Sequence, residues 1–264
     1  MKVLVAGRGF IGKKVVERLR NTHQVKTLDR GADATFQQDI TEKFEIDESF
    51  DVLIHTIGLA PGMYGPGEYE EVHVEGTQNL IEAVDAEKVV FLSALGAGKV
   101  DHSFFETKRE AEKIIVNNSE RHTVLRPSTV YGEGNKLLDL IGKAAPTMIF
   151  PDIKTLTQPI HVDDVVSVID KTLEGFDNQV LELGGPEELT VGEMAKKIYN
   201  ERGFPCVLLP APMVLQKAGL TVFSPLPSPF NRENIKILEH QNTTNVNDAE
   251  KILGQMKPVF SKRK

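Results

Sequence analysis

Val3-Leu4-Val5-Ala6-Gly7-Arg8-Gly9-Phe10-Ile11-Gly12 opens the chain, and the reading of this stretch decides the fold. An apolar run leads into three glycines. The amphipathic segment Lys13 to Arg20 follows, and a second apolar run, Val25 to Leu28, ends on Asp29. The order predicts strand, glycine turn, helix, strand, acidic residue. Each glycine is there for a physical reason. Gly7 lets the chain turn sharply, Gly9 lets the backbone approach a pyrophosphate, and Gly12 lets the helix pack closely on the sheet. The helix N-terminus offers N–H groups and the positive end of its dipole to phosphates. Asp29 lies 22 residues after Gly7, the spacing of an acid that hydrogen-bonds an adenosine ribose. Together these features predict a dinucleotide site.

Working outward, strand-like runs recur with helical segments between them. Phe36 to Ile40 reads as a short third strand and Asp51 to His55 as a fourth, leading into Thr56-Ile57-Gly58. A loop rich in glycine and proline spans Pro61 to Gly67. Helical spacing follows over Tyr69 to Val84, then a fifth strand, Val89 to Leu92, ending on Ser93. Phe105 to Asn117 reads as a helix and Thr123 to Arg126 as a strand stopped by Pro127. Strands alternating with helices predict βαβ units and a parallel sheet with helices on both faces. After Gly132 the rhythm breaks: a short helix (Leu137 to Ala144), proline-punctuated segments, an amphipathic helix from Val162 to Leu173, and a strand from Val180 to Leu183. A helix from Val191 to Arg202, a proline-rich crossing from Pro205 to Pro229 and two short helices near 234–239 and 247–253 complete the chain.

Composition limits the function classes. The chain has 264 residues and a net charge of −7, which argues against a general nucleic-acid binder. The single cysteine, Cys206, excludes an intramolecular disulfide and a cysteine-cluster metal site, and no metal site is predicted. The chain enters a strand directly, with no signal-peptide core. No stretch approaches the roughly 18 apolar residues of a membrane span. A soluble, cytoplasmic protein is the expectation.

Several stretches together resemble the extended short-chain dehydrogenase/reductase superfamily, which contains the NAD-dependent epimerases and dehydratases. They are the glycine turn, Asp39-Ile40, Val74 to Leu80, Leu92-Ser93-Ala94-Leu95-Gly96, Leu125 to Gly132 and Ile160 to Asp164. The chain is most similar to the atypical branch that includes the NDUFA-type accessory subunit of respiratory complex I. It shares that branch's Ser-Ala-Leu-Gly turn, its Lys-Arg-Glu-Ala-Glu helix and its Leu-Gly-Gly-Pro turn at 183–186. The resemblance implies an α/β fold: a Rossmann-type doubly wound parallel sheet with a smaller C-terminal substrate lobe. The body would comprise 1–132 and 158–185, and the lobe 133–157 and 186–264. It also implies roles. Gly7, Gly9 and Gly12 would line the pyrophosphate, Phe10 and Ile11 would also touch the cofactor, and Arg8 would lie near the adenosine ribose. Asp29 and Arg30 would lie at the adenosine ribose, and Asp39 and Ile40 beside the adenine. Thr56 and Gly58 would run along the cofactor, and Ser93 would sit beside the reacting carbon. Lys108 would hold the nicotinamide ribose, and Pro127, Thr129 and Val130 would pass the carboxamide.

The family's central pair is a tyrosine four residues before the lysine. That spacing puts both on one helix face, and the lysine's charge eases proton transfer by the phenol. Here that position is Phe104, which cannot exchange a proton. Candidate substitutes are His102 first, then Asp101, Glu106 and Tyr64. The family's asparagine before Val74 is replaced by His73. Asp163 and Asp164 read as charges at a helix start, and His161 as a structural histidine. Asp29 favours NAD, while Arg8 and Arg30 keep NADP as second choice. Two functions stay open. One is an oxidoreductase, epimerase or dehydratase acting on an unidentified small molecule. The other is a non-catalytic cofactor-binding protein serving as a structural or redox-sensing partner, as a homodimer or within a respiratory-type complex. The 205–229 segment, with Lys217 as its one basic residue, weakly disfavours a sugar-nucleotide substrate.

Overall fold

In the structure, a computed structural model that describes residues 1–210 and 234–260, seven strands form one sheet. They are β1 (Lys2–Ala6), β2 (Gln24–Asp29), β3 (Phe36–Gln37), β4 (Ser49–His55), β5 (Asp85–Leu92), β6 (His122–Pro127) and β7 (Gln179–Leu183). Their spatial order is β7-β6-β5-β4-β1-β2-β3, and every pairing is parallel. The chain therefore reverses its winding direction between β1 and β4, and a ligand crevice lies outside the carboxyl ends of the strands at such a point. Gly7 and Thr56, the residues that follow β1 and β4, stand there.

Both faces of the sheet are covered, which explains the continuous apolar runs. Alternation along β1 sends Val3 and Val5 to one face and Leu4 and Ala6 to the other. The first face packs on α1 (Phe10–Leu19) through Val15 and Leu19. It also packs on the amphipathic helix α5 (Val162–Thr172), through Val165, Val168 and Ile169. The second face packs on Leu80 of α2 (residues 66–83), and on Ala111 and Ile115 of α3 (Ser103–Asn118). Helix α2 starts as α over Pro66–Tyr69, widens to π over Glu70–Glu75 and returns to α over Gly76–Ala83. It thus begins three residues before the predicted start, because Pro66 sits in its first turn and Glu68 accepts from the Gly65 N–H. The third strand is shorter than expected, since Asp39 turns back to accept from the N–H and hydroxyl of Thr41.

A smaller cluster lies beyond β6: Tyr131, Leu138 of α4 (Lys136–Lys143), Leu189, and Met194 and Ile198 of α6 (Val191–Glu201). Thr190 and Glu193 form a capping box at the start of α6. Helix α7 (Asn234–Glu239) follows the undescribed segment, so the proline-rich crossing is described only as far as Pro210. Helix α8 (Asp248–Leu253), expected in the lobe, packs on the body instead. Its Ala249 is fully buried with Val165 and Leu181, because Ile252, Leu253 and Met256 present an apolar face to that core. Among the described residues no helix is long and apolar enough to cross a membrane.

Candidate functional site

The glycine turn is built almost entirely from backbone. Gly7 has φ +96, and its N–H donates to Leu28 O at 2.8 Å, tying the turn to β2. A Cβ on Gly12 would lie 1.9 Å from Gly7 O, so the helix approaches the turn more closely than any side chain allows. The Thr56 hydroxyl lies 3.0 Å from both Ala6 O and Gly7 O and pins β4 to the turn. Gly9 is different: a Cβ there would meet nothing within 4 Å. It forms the N-cap of α1 without a side chain, and the first turn carries no acid. Phe10 and Ile11 begin that turn and pack partly buried against the body core. An open space over Gly9, at the positive end of a helix, fits a pyrophosphate.

Beside the turn, each Asp29 carboxylate oxygen accepts a backbone N–H, from Arg8 at 2.8 Å and from Gly31 at 3.0 Å. The Arg8 guanidinium is paired with Asp33 and the exposed Arg30 with Asp39, at 3.7 Å. Ile40 is buried against Gly76, where an added Cβ would strike its side chain at 2.7 Å, and Asn79 donates to Ile40 O. Thus Gly7 to Gly12, Asp29, Asp39, Ile40 and Thr56 gather along one edge.

The other end of the edge is packed with side chains. Helix α3 shows the sheet a stripe of Phe104, Lys108, Ala111, Glu112 and Ile115, all buried. His102 is its N-cap, with Nδ1 accepting from Phe104 N–H at 3.0 Å. The Phe104 ring packs edge-on against Phe105, His73 and Tyr69 at centroid distances of 4.8, 5.5 and 5.6 Å. The fully buried Tyr69 hydroxyl donates to Ala60 O and accepts from Met63 N–H, stapling the 59–65 loop to α2. His73, in the π segment, accepts from Leu59 N–H through Nε2, and its Nδ1 meets the Thr107 hydroxyl at 2.9 Å. These bonds define a neutral imidazole. Burial, helped by the charge of Lys108, lowers His73 to about 2. The same causes lower His55 to about 3.

Lys108 Nζ donates to Leu92 O at 3.1 Å and lies 4.9 Å from the centre of the Phe91 ring. A Cβ on Gly58 would come within 2.9 Å of it and 3.5 Å of His73 Nε2, so these three residues converge. Burial lowers the ammonium to about 8, against the opposing pull of Glu112.

Residues 3–184, more than half of the chain, match the NAD dependent epimerase/dehydratase family. The chain belongs to this family. Its curated relatives include the NADH-ubiquinone oxidoreductase 40 kDa subunit of Neurospora crassa, 26% identical over 73% of this chain and 58% of that one. Another is the NADH dehydrogenase 1 alpha subcomplex subunit 9 of Arabidopsis thaliana, 30% identical over 57% of this chain and 42% of that one. The chain spans about half the length of the curated relatives it matches. Among solved structures the fold is shared with gox2253, with a TM-score of 0.73, 20% identity and coverage of 98% of this chain and 94% of that one. It is shared also with MoeE5 solved with UDP-glucose and NAD, with a TM-score of 0.67, 22% identity and coverage of 96% and 97%.

Within this epimerase/dehydratase frame, Ser93 and Thr129 sit at the expected strand ends, but their hydroxyls have protein partners. Ser93 donates to the buried Glu112 at 2.6 Å. Thr129 shares a 2.8 Å hydrogen bond with Thr157 and accepts from Asn242. Pro127 O accepts from Leu95 N–H, and Val130 O accepts from Asn135. Sequence reasoning assigned no role to Glu112, Arg109 or Arg126, yet these form the densest charge cluster at this edge. Glu112 accepts two bonds from Arg126, at 2.7 and 2.6 Å, and one from Arg109 at 2.8 Å. Burial pushes its carboxyl up, but the bonds from Arg126, Ser93 and Arg109 outweigh it and hold the group below the usual carboxylate range. The available signal was an arginine near the end of a buried strand, since a charge there needs a partner.

Proposed function

We propose that this chain binds NAD along the carboxyl edge of its sheet and acts as a cofactor-holding member of the epimerase/dehydratase family, without tyrosine-dependent proton transfer. The observation that carries this reading is Phe104. It stands four residues before Lys108, 5% exposed and enclosed by Tyr69, His73 and Phe105, so the position is filled by a ring that bears no proton. Loss of a positioned general acid forfeits roughly 10²- to 10⁴-fold in rate.

In this reading Gly7, Gly9, Gly12 and the start of α1 hold the pyrophosphate. Asp29 takes the adenosine ribose, Asp39 and Ile40 flank the adenine, and Thr56 and Gly58 run along the cofactor. Lys108 holds the nicotinamide ribose, with Pro127, Thr129 and Val130 beside the carboxamide. Bound NAD would supply a hydride acceptor. The residues of this chain would orient it and keep water out of the His73–Phe104 side. The likeness to respiratory NADH dehydrogenase subunits supports a role beside a partner of that kind.

Mass spectrometry of nucleotide released from the purified protein, with calorimetric titration of NAD and NADP, tests the binding claim. Bound or titratable NAD is expected, and finding neither sinks it. A second reading, turnover on a small substrate, draws support from Lys108, whose ammonium burial lowers to about 8. A panel of ketones and sugar nucleotides, assayed with wild type and Phe104→Tyr, separates the two. Turnover only in the variant supports the binder; turnover already in wild type overturns it.

A further inference from the structure

Arg8, the residue between the first two glycines, lies beside Asp29, to which its N–H donates, and its guanidinium is already held. Its Nη1 and Nη2 reach the two carboxylate oxygens of Asp33, each at 2.6 Å. The Arg8 side chain is 22% exposed and that of Asp33 is 76% exposed, so the acid covers the arginine from the solvent side. Asp33 also stands near Asp29. A Cβ built on Gly31 would lie 3.1 Å from Asp33 Oδ1 and 3.4 Å from Asp29 Oδ1, which places the two carboxylates around one glycine. The turn from Gly31 to Ala34, closed by Ala34 N–H to Gly31 O at 3.1 Å, delivers Asp33 to this spot. The other nearby arginine, Arg30, is turned toward Asp39.

An exposed ion pair contributes little to stability, so stability gives little reason for two acids to crowd one glycine. Their effect on an incoming anion is larger. A free 2′-hydroxyl donates to a carboxylate, whereas a 2′-phosphate is repelled by both acids and finds its arginine engaged.

We propose that Asp33 is a specificity-determining residue that sets the choice of dinucleotide, by holding Arg8 in a bidentate fork and adding a second negative charge beside Asp29. This rests on the dinucleotide-binding reading above. Asp33 acts as a latch: while it is closed, the site accepts NAD and disfavours NADP.

Calorimetry with NAD and NADP on wild type, Asp33→Asn, Asp33→Glu and the double variant Arg8→Ala/Asp33→Asn tests the latch, with thermal melts to verify folding. For Asp33→Asn the NADP affinity should rise about tenfold while NAD stays within about twofold, as expected for removing one charge a few ångströms from a phosphate in water. That gain should shrink in high salt, be smaller in the double variant, which lacks the released guanidinium, and be absent in Asp33→Glu. If Asp33→Asn moves both nucleotides equally, or leaves NADP unchanged while NAD binds, the latch is overturned and the binding reading stands. If wild type binds neither nucleotide, both fall together.

Discussion

The two ends of the sheet's carboxyl edge are made of different material. At β1–α1–β2 the surface is backbone: three glycines, a bare helix N-terminus and an acid whose oxygens take main-chain N–H groups. At β5–α3 the surface is side chain, with Phe104, His73, Tyr69 and Lys108 enclosing one another and Glu112 gripping Arg126 behind them. The first end leaves room for a ligand, and the second fills its room with its own rings. In the proposed reading, holding a cofactor and transferring a proton belong to separate stretches of one edge, and a chain can keep the first while changing the second.

Substitutions at four positions test this contrast. The largest effect is expected from Gly12→Ala, whose methyl would collide with Gly7 O at 1.9 Å. It should cost about 3 kcal/mol of stability and abolish dinucleotide binding, read by denaturant melts and calorimetry. A variant of wild-type stability would show that the close approach of turn and helix is dispensable.

Glu112→Ala comes next, at about 3 kcal/mol or slightly less, because it strands the nearly buried Arg126. The pH dependence has a definite sign. The folded-state pKa of Glu112 lies below its ordinary 4.5, so its contribution is present above 4.5 and is lost as the pH falls through the depressed value. Glu112→Gln should therefore flatten the acid limb of the stability profile, and an unchanged limb would remove the network from the account.

Lys108→Met acts in the opposite direction. Burial has lowered this amine from 10.5 to about 8, so the unfolded chain binds more protons between those values and wild-type stability rises with pH across that window. Replacing the buried cation by an apolar chain of similar length should stabilise the fold by about 2 kcal/mol at pH 7 and flatten that rise. It should also weaken NAD if Lys108 reaches the ribose. A destabilised variant would mean that the Leu92 carbonyl and the Phe91 ring compensate the charge fully.

Gly9→Ala should move stability least, by no more than about 0.5 kcal/mol, since the new methyl meets nothing within 4 Å and the backbone there is extended. Its signature is in binding, where a methyl in the phosphate space should cost NAD about tenfold in affinity. Equal stability with unchanged affinity would place the pyrophosphate elsewhere. Gly12 and Gly9 thus separate a glycine the fold needs from one that only a ligand needs.

Legibility followed the range of the interactions. The glycine turn, Asp29, the parallel sheet and the family could be read because each rests on residues close in sequence or on the period of an apolar run. Phe104 was readable as an absence, because its spacing from Lys108 is local. That His102 caps α3, that the π segment aims His73 at Leu59 and Thr107, and that Asp33 closes on Arg8 were not readable. The last two bring together residues 14 to 34 positions apart, and no period announces them. Helix α8 follows the lobe in sequence, yet its apolar face packs on the body core.

By itself, then, the sequence determined a strand, a glycine turn and a helix at the head of a parallel sheet, because Gly7 and Gly12 sit where a side chain does not fit and the pattern is local. Tertiary structure decided how the far end is filled and how Arg8 is engaged. Ring packing around Phe104, the charge cluster on Glu112 and the Arg8–Asp33 fork are all set by which distant side chains the fold brings within a few ångströms.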